Sequence, residues 1–140
     1  MQAALRRHAT PDRIRVLTQF LKFGVVGTLG FLVDTVVVYA LRYRLGLYGA
    51  GLVSFLVAAT ANWVMNRLWT FRGRGSLPMH REWARYMMAN LFGFVLNRGT
   101  YALLVTFVAA CAEQPVLAVA AGSIAGLGVN FTLSRTAVFR

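Results

Sequence analysis

The sequence predicts an all-α integral membrane protein: a four-helix bundle built from two parallel two-helix repeats, with both termini in the cytoplasm. Three observations predict it. The 140 residues are 58% hydrophobic, with a mean hydropathy of +0.59 despite a net charge of +11. The apolar residues gather into four stretches, each close to the ~20 residues a helix needs to cross ~30 Å of hydrocarbon. Lys and Arg fall almost entirely on one side of those stretches.

Residues 1–19 form a basic cytoplasmic segment without the apolar core of a signal peptide, so the first span directs insertion. That span covers about 20–41, interrupted by Lys22 and Asp34, and the Gly-rich Gly46–Gly51 reads as a turn before the second span at about 52–68. Gly73, Gly75 and Pro78 mark a linker over 72–85. The third span, about 86–108, and the fourth, about 116–138, are separated by Glu113-Gln114-Pro115. In lipid the backbone must satisfy its own polar groups, so segments of this length are helices. The four spans make one domain over 20–139.

Orientation follows from charge. Arg6, Arg7, Arg13, Arg15, Lys22, Arg67, Arg72, Arg74, Arg81, Arg85, Arg135 and Arg140 share one side; Arg42 and Arg44 take the other, and Arg98 lies within the third span. Under the positive-inside rule the larger group is cytoplasmic. Basic segments flanking apolar ones suit an anionic leaflet at ~1 kcal/mol per residue, so anionic lipids are expected partners and nucleic acid is not. His8 and His80 read as solvated. The lone Cys111 excludes an internal disulfide.

The halves repeat. Gly30-Phe31-Leu32-Val33-Asp34 matches Gly93-Phe94-Val95-Leu96-Asn97 at an offset of 63, and Lys22 then meets Arg85. The even spans match at 68: Asn62 meets Asn130, Asn66-Arg67 meets Ser134-Arg135, and Phe71-Arg72 meets Phe139-Arg140. A unit of two helices repeats in parallel, related by an axis along the membrane normal.

Polar residues inside spans are costly and therefore informative. Gly27, Gly30 and Asp34 share a helix face, as do Asn90, Gly93 and Asn97. Asp34 lies roughly 18 Å along the axis from Lys22 at ~1.5 Å per residue, near mid-bilayer. Arg98 is at similar depth, and either pairs with Asp34 or stays free for an anionic head group. Together Asp34, Asn90, Asn97 and Arg98 form an expected intramembrane polar pathway. Asn62 and Asn66, like Asn130 and Ser134, share a face just before Arg67 and Arg135. With Lys22 and Arg85 these residues are expected to bind a lipid phosphate and its head group, since amides and guanidinium groups bond phosphate oxygens. Interhelical packing and capping are the alternative role for the amides. The acids Asp12, Asp34, Glu82 and Glu113 offer no acid/base pair, and no metal or cofactor motif is present. No enzyme activity and no cofactor are expected.

The opening Phe20-Leu21-Lys22-Phe23-Gly24-Val25-Val26-Gly27, Asp34, and Asn62 followed by Asn66-Arg67-Leu68-Trp69-Thr70-Phe71 resemble the GtrA-like family. So does the echo Asn130 and Ser134-Arg135-Thr136-Ala137-Val138-Phe139. The resemblance runs from Gln19 to Phe139. It points to Lys22, Asp34, Asn62, Asn66, Arg67, Asn97, Asn130 and Arg135 as site residues; Arg98 rests on charge and depth alone. It implies a multi-pass protein of a bacterial or archaeal inner membrane. Translocation of a polyprenyl-phosphate-linked sugar for cell-surface polysaccharide or glycolipid synthesis is the implied role. The alternatives are a non-catalytic subunit supporting a membrane glycosyltransferase, or cation efflux through Asp34. Four short helices are a thin bundle for a large head group, which makes a homodimer an alternative to a monomer.

Overall fold

The computed structural model describes residues 2–140, with side chains from Pro11 onward, and its secondary structure among these residues is helical. The chain divides into two compact units, Met1–Gly73 and Arg74–Arg140. The side chains of Arg6, Arg7 and His8 lie outside the description.

The first unit is α1, Gln2–Met65, followed by a single π-helical turn, Asn66–Thr70. Its apolar stretch Pro11–Thr70 is 60 residues long with a mean hydropathy of 1.9. A straight helix of that length would span about 90 Å, three times a bilayer. Gly46 solves this: at φ 73° and ψ 173° it leaves the helical region and divides α1 into two arms, 2–45 and 47–65. Gly30 packs on Asn62 and Phe23 on Phe71, pairs centred near position 46, so the arms form a hairpin. The turn is tighter than the expected Gly46–Gly51, because one residue with positive φ suffices and Leu47 to Gly51 stay helical. Helix also runs unbroken through the boundary expected at residues 19 and 20.

In the second unit α2, Met79–Phe107, starts directly after Pro78, whose carbonyl accepts from the N–H groups of Arg81 and Glu82. The linker expected over 72–85 is therefore shorter, and half of it is helix. Val108 breaks the helix with extended backbone, and the short α3, Ala109–Glu113, makes the turn. Then α4, Pro115–Leu133, opens on proline, whose missing N–H is no loss at a first position. A second π-turn, Ser134–Val138, ends it. Pro115–Val138 has a mean hydropathy of 1.8; with Pro11–Thr70 it makes two helices among the described residues long and apolar enough to cross a membrane. Asn90, Asn97 and Arg98 lower the hydropathy of α2.

Contacts inside the second unit reproduce those inside the first at the sequence offsets. Phe23 meets Phe71 edge-on with centroids 6.2 Å apart, and Tyr86 meets Phe139 the same way at 6.1 Å. The N–H of Phe71 donates to Asn66 O at 2.8 Å, and that of Phe139 to Ser134 O at 2.8 Å. These i→i+5 bonds close the π-turns and direct Phe71 and Phe139 inward, where both are fully buried. Each unit also seats an asparagine carboxamide on a glycine: a Cβ on Gly30 would overlap Asn62, and one on Gly93 would overlap Asn130. The Oδ1 atoms of both asparagines are buried without a conventional hydrogen bond. A weak Cα–H···O contact from the glycine accounts for a geometry that occurs twice.

Outward faces are apolar, with Leu21, Phe31, Val36, Leu52, Leu103 and Ile124 all exposed. Threonines on these faces return their hydroxyls to their own helix: Thr28 to Gly24 O, Thr35 to Phe31 O, Thr106 to Ala102 O and Thr132 to Gly128 O. Such self-satisfaction suits a surface that meets lipid in place of water.

Candidate functional site

A cleft of about 400 Å³ opens in the first unit, lined by Arg15, Thr18, Gln19, Lys22, Leu68, Trp69, Thr70 and Arg72. Arg15, Thr18, Gln19 and Lys22 follow the i, i+3, i+4, i+7 spacing of one helix face. The π-turn supplies the opposite wall and Arg72 follows it. Arg15, Lys22 and Arg72 have no carboxylate partner among the described residues. Lys22 Nζ instead stands 5.4 Å from the Trp69 ring centroid, a cation–π contact. Thr18 gives its hydroxyl to Ile14 O at 2.8 Å. The result is a concentration of three positive charges beside an exposed indole, suited to a phosphate with a polar group attached.

Of the expected phosphate ligands, Lys22 lines this cleft. Asn66 is fully buried behind it and accepts the Thr70 hydroxyl at 2.7 Å, so it shapes the wall. The guanidinium of Arg67 lies 6.0 Å from the Trp63 ring, outside the lining, and Asn62 sits on Gly30. In the second unit Arg85 Nη1 donates to Ala137 O at 3.1 Å, the position equivalent to Trp69. Ser134 is fully buried with no hydrogen bond for its Oγ, Asn130 sits on Gly93, and Arg135 O faces Arg74 Nη2 at 3.5 Å.

The expected polar pathway separates into different environments. Asp34, in the first unit, is partly exposed and has no hydrogen-bond or ion-pair partner among the described residues. Asn90 donates to Tyr86 O at 2.9 Å on its own helix. Asn97 fits a groove made by Gly122 and Gly126 of α4. Arg98 is exposed, its guanidinium 5.5 Å from the Phe94 ring. Asp34 and Arg98 belong to different units. No group of three or more His, Cys, Asp or Glu side chains that could hold a metal occurs among the described residues.

Sequence reasoning passed over Thr18, Gln19, Trp69 and Thr70 as site residues, and read Arg15 and Arg72 only as topological charges. The spacing 15, 18, 19, 22 carried the missing signal: four polar residues on one face where the neighbouring positions are apolar.

No curated protein matches the chain. The family model described as the GtrA/DPMS transmembrane domain matches residues 22–139, which takes in both hairpins and both π-turns. The protein is therefore a membrane protein that belongs to the GtrA/DPMS transmembrane domain family.

Proposed function

We propose that the protein translocates a polyprenyl-phosphate-linked monosaccharide across a bacterial or archaeal inner membrane for cell-surface polysaccharide or glycolipid synthesis. The observation that carries this reading is the first-unit cleft, where Arg15, Lys22 and Arg72 surround Trp69 without an acidic partner. In this reading the two hairpins form a four-span bundle of parallel repeats over 20–139, with both termini and the charged cleft cytoplasmic. The cleft receives the phosphate from the cytoplasmic leaflet. Arg67, Arg135 and Arg85 hold anionic lipid nearby. Asp34 and the Asn97–Arg98 pair, with no partner required between them, offer polar stations for the sugar at mid-membrane. No covalent bond is made or broken, so the protein acts as a carrier and not as an enzyme.

The direct test is flipping of a radiolabelled polyprenyl-phosphate sugar in proteoliposomes of the purified protein. Rates should exceed those of protein-free vesicles, and the Arg15→Gln/Lys22→Gln/Arg72→Gln variant should lower them by about 10-fold or more. That figure corresponds to losing at least one charge-assisted bond of ~1.5 kcal/mol. Rates equal to protein-free vesicles would remove the reading and favour the supporting-subunit role, in which the basic segment 72–85 engages a glycosyltransferase.

A further inference from the structure

Where the second unit carries alanine, the first carries bulk. Ala84 occupies the position equivalent to Leu21, and Ala137 that of Trp69. The space the missing side chains would fill is a groove of about 490 Å³ between α2 and the second π-turn, floored by Ala84, Ala89 and Ala137 and walled by Met88 and Phe92. That volume falls within the ~300–1,000 Å³ of small-molecule sites.

Residues 84, 85, 88, 89 and 92 form a stripe along one helix face, so the groove runs along the helix axis for about 12 Å. Arg85 stands at one end. Its Nη1 bonds Ala137 O, and its remaining N–H groups have no acceptor among the described residues. A guanidinium carries five donors in a planar fork that matches phosphate. An elongated apolar groove with one cation at its end has the form of an amphiphile's counterpart.

We infer that this groove seats the hydrocarbon chain of a single-chain phosphate lipid, with the phosphate on Arg85. A diacyl lipid would bring a second chain for which this groove has no seat. Met88 and Phe92, both exposed, supply an adaptable wall for a branched chain. The inference rests on the transport reading for the class of lipid. It adds a second seat for such a lipid, contained within the second unit and distinct from the first-unit cleft.

Native mass spectrometry of the full chain in detergent, with farnesyl phosphate as the single-chain probe and dioleoyl phosphatidate as the two-chain probe, tests it. Farnesyl phosphate should be retained in preference to phosphatidate. Ala137→Trp, which copies the first unit, should lower retention at least 10-fold, and Arg85→Gln by about 10-fold. Ala84→Leu, which copies Leu21, blocks the same groove and serves if Ala137→Trp does not fold. Unchanged retention in a folded groove-filled variant, or equal retention of phosphatidate, would overturn the inference. Retention intact in a protein that flips nothing would sink the transport reading and leave the groove standing; flipping intact in a protein that retains no farnesyl phosphate would do the reverse.

Discussion

The two units share a frame and differ at its openings. Both have a glycine under an asparagine, a π-turn closed by a 2.8 Å bond, and an edge-on aromatic pair at its end. Among the residues kept in both units are the glycine and asparagine that bring two helices together. Among the residues that change are those beside the basic position: Lys22 faces Trp69, whereas Arg85 faces the backbone of Ala137. Asn62 and Asn130, expected to bind phosphate with interhelical packing as the alternative role, each lie against a glycine of the facing helix. Exchanging residues between equivalent positions tests which of them the shared frame requires.

The largest effect is expected where one unit holds a side chain that the other cannot. Ser54 is buried in the first unit, its hydroxyl on Gly51 O at 2.9 Å. Its equivalent is Gly122, where a Cβ would lie 2.6 Å from the backbone oxygen of Asn97. A backbone atom cannot rotate away, so α2 and α4 would have to separate. Gly122→Ser should lower stability by about 3 kcal/mol, the upper part of the range for overpacking. Reversible unfolding in mixed detergent micelles measures this. A loss under about 1 kcal/mol would mean the helices approach less closely than described.

A somewhat smaller effect, equal in the two units, is expected at the glycine–asparagine contacts. Gly30→Ala and Gly93→Ala each place a methyl group on a carboxamide that can move, so about 2 kcal/mol is expected from each. Adding Asn62→Ala to the first and Asn130→Ala to the second should recover most of the loss, because methyl and carboxamide then no longer compete. Double-mutant cycles by the same unfolding assay give the coupling energy. Clearly different couplings in the two units would break the idea of a shared frame.

Much of this frame was legible in the sequence, and the reasons are physical. Polar residues inside apolar stretches are expensive, so the equivalence of Asn62 with Asn130 and of Asp34 with Asn97 stood out. The offsets of 63 and 68 paired residues that make like contacts in the two units, though not the contacts themselves. Hydropathy could not locate the tight turn, because Leu47 to Gly51 are as compatible with helix as with a loop until Gly46 takes the bend. Nor could it separate a ligand from a wall residue. Asn66 and Arg67 are neighbours in sequence, yet one is fully buried on Thr70 and the other stands on Trp63. Consecutive helix residues point about 100° apart, so one of the pair faces inward and the other outward.

The smallest effects test whether the π-turns are held alike. In the first unit Thr70 donates to Asn66 Oδ1 inside the protein, and Asn66→Ala would leave that hydroxyl without its acceptor. A buried group losing its partner costs about 1–3 kcal/mol, and the lower half of that range applies here because the hydroxyl can rotate. In the second unit the equivalents are Ser134 and Val138, and Ser134 Oγ has no hydrogen bond to lose. Ser134→Ala should therefore change stability by less than about 0.5 kcal/mol, and relieving an unpaired buried hydroxyl would move it toward stabilisation. Matched unfolding curves for the two variants decide the point. If Ser134→Ala costs as much as Asn66→Ala, the second π-turn depends on its side-chain hydroxyl. If both are neutral, the backbone bond from Phe71 or Phe139 holds each turn unaided, and the polar pair in the first unit serves the cleft it walls.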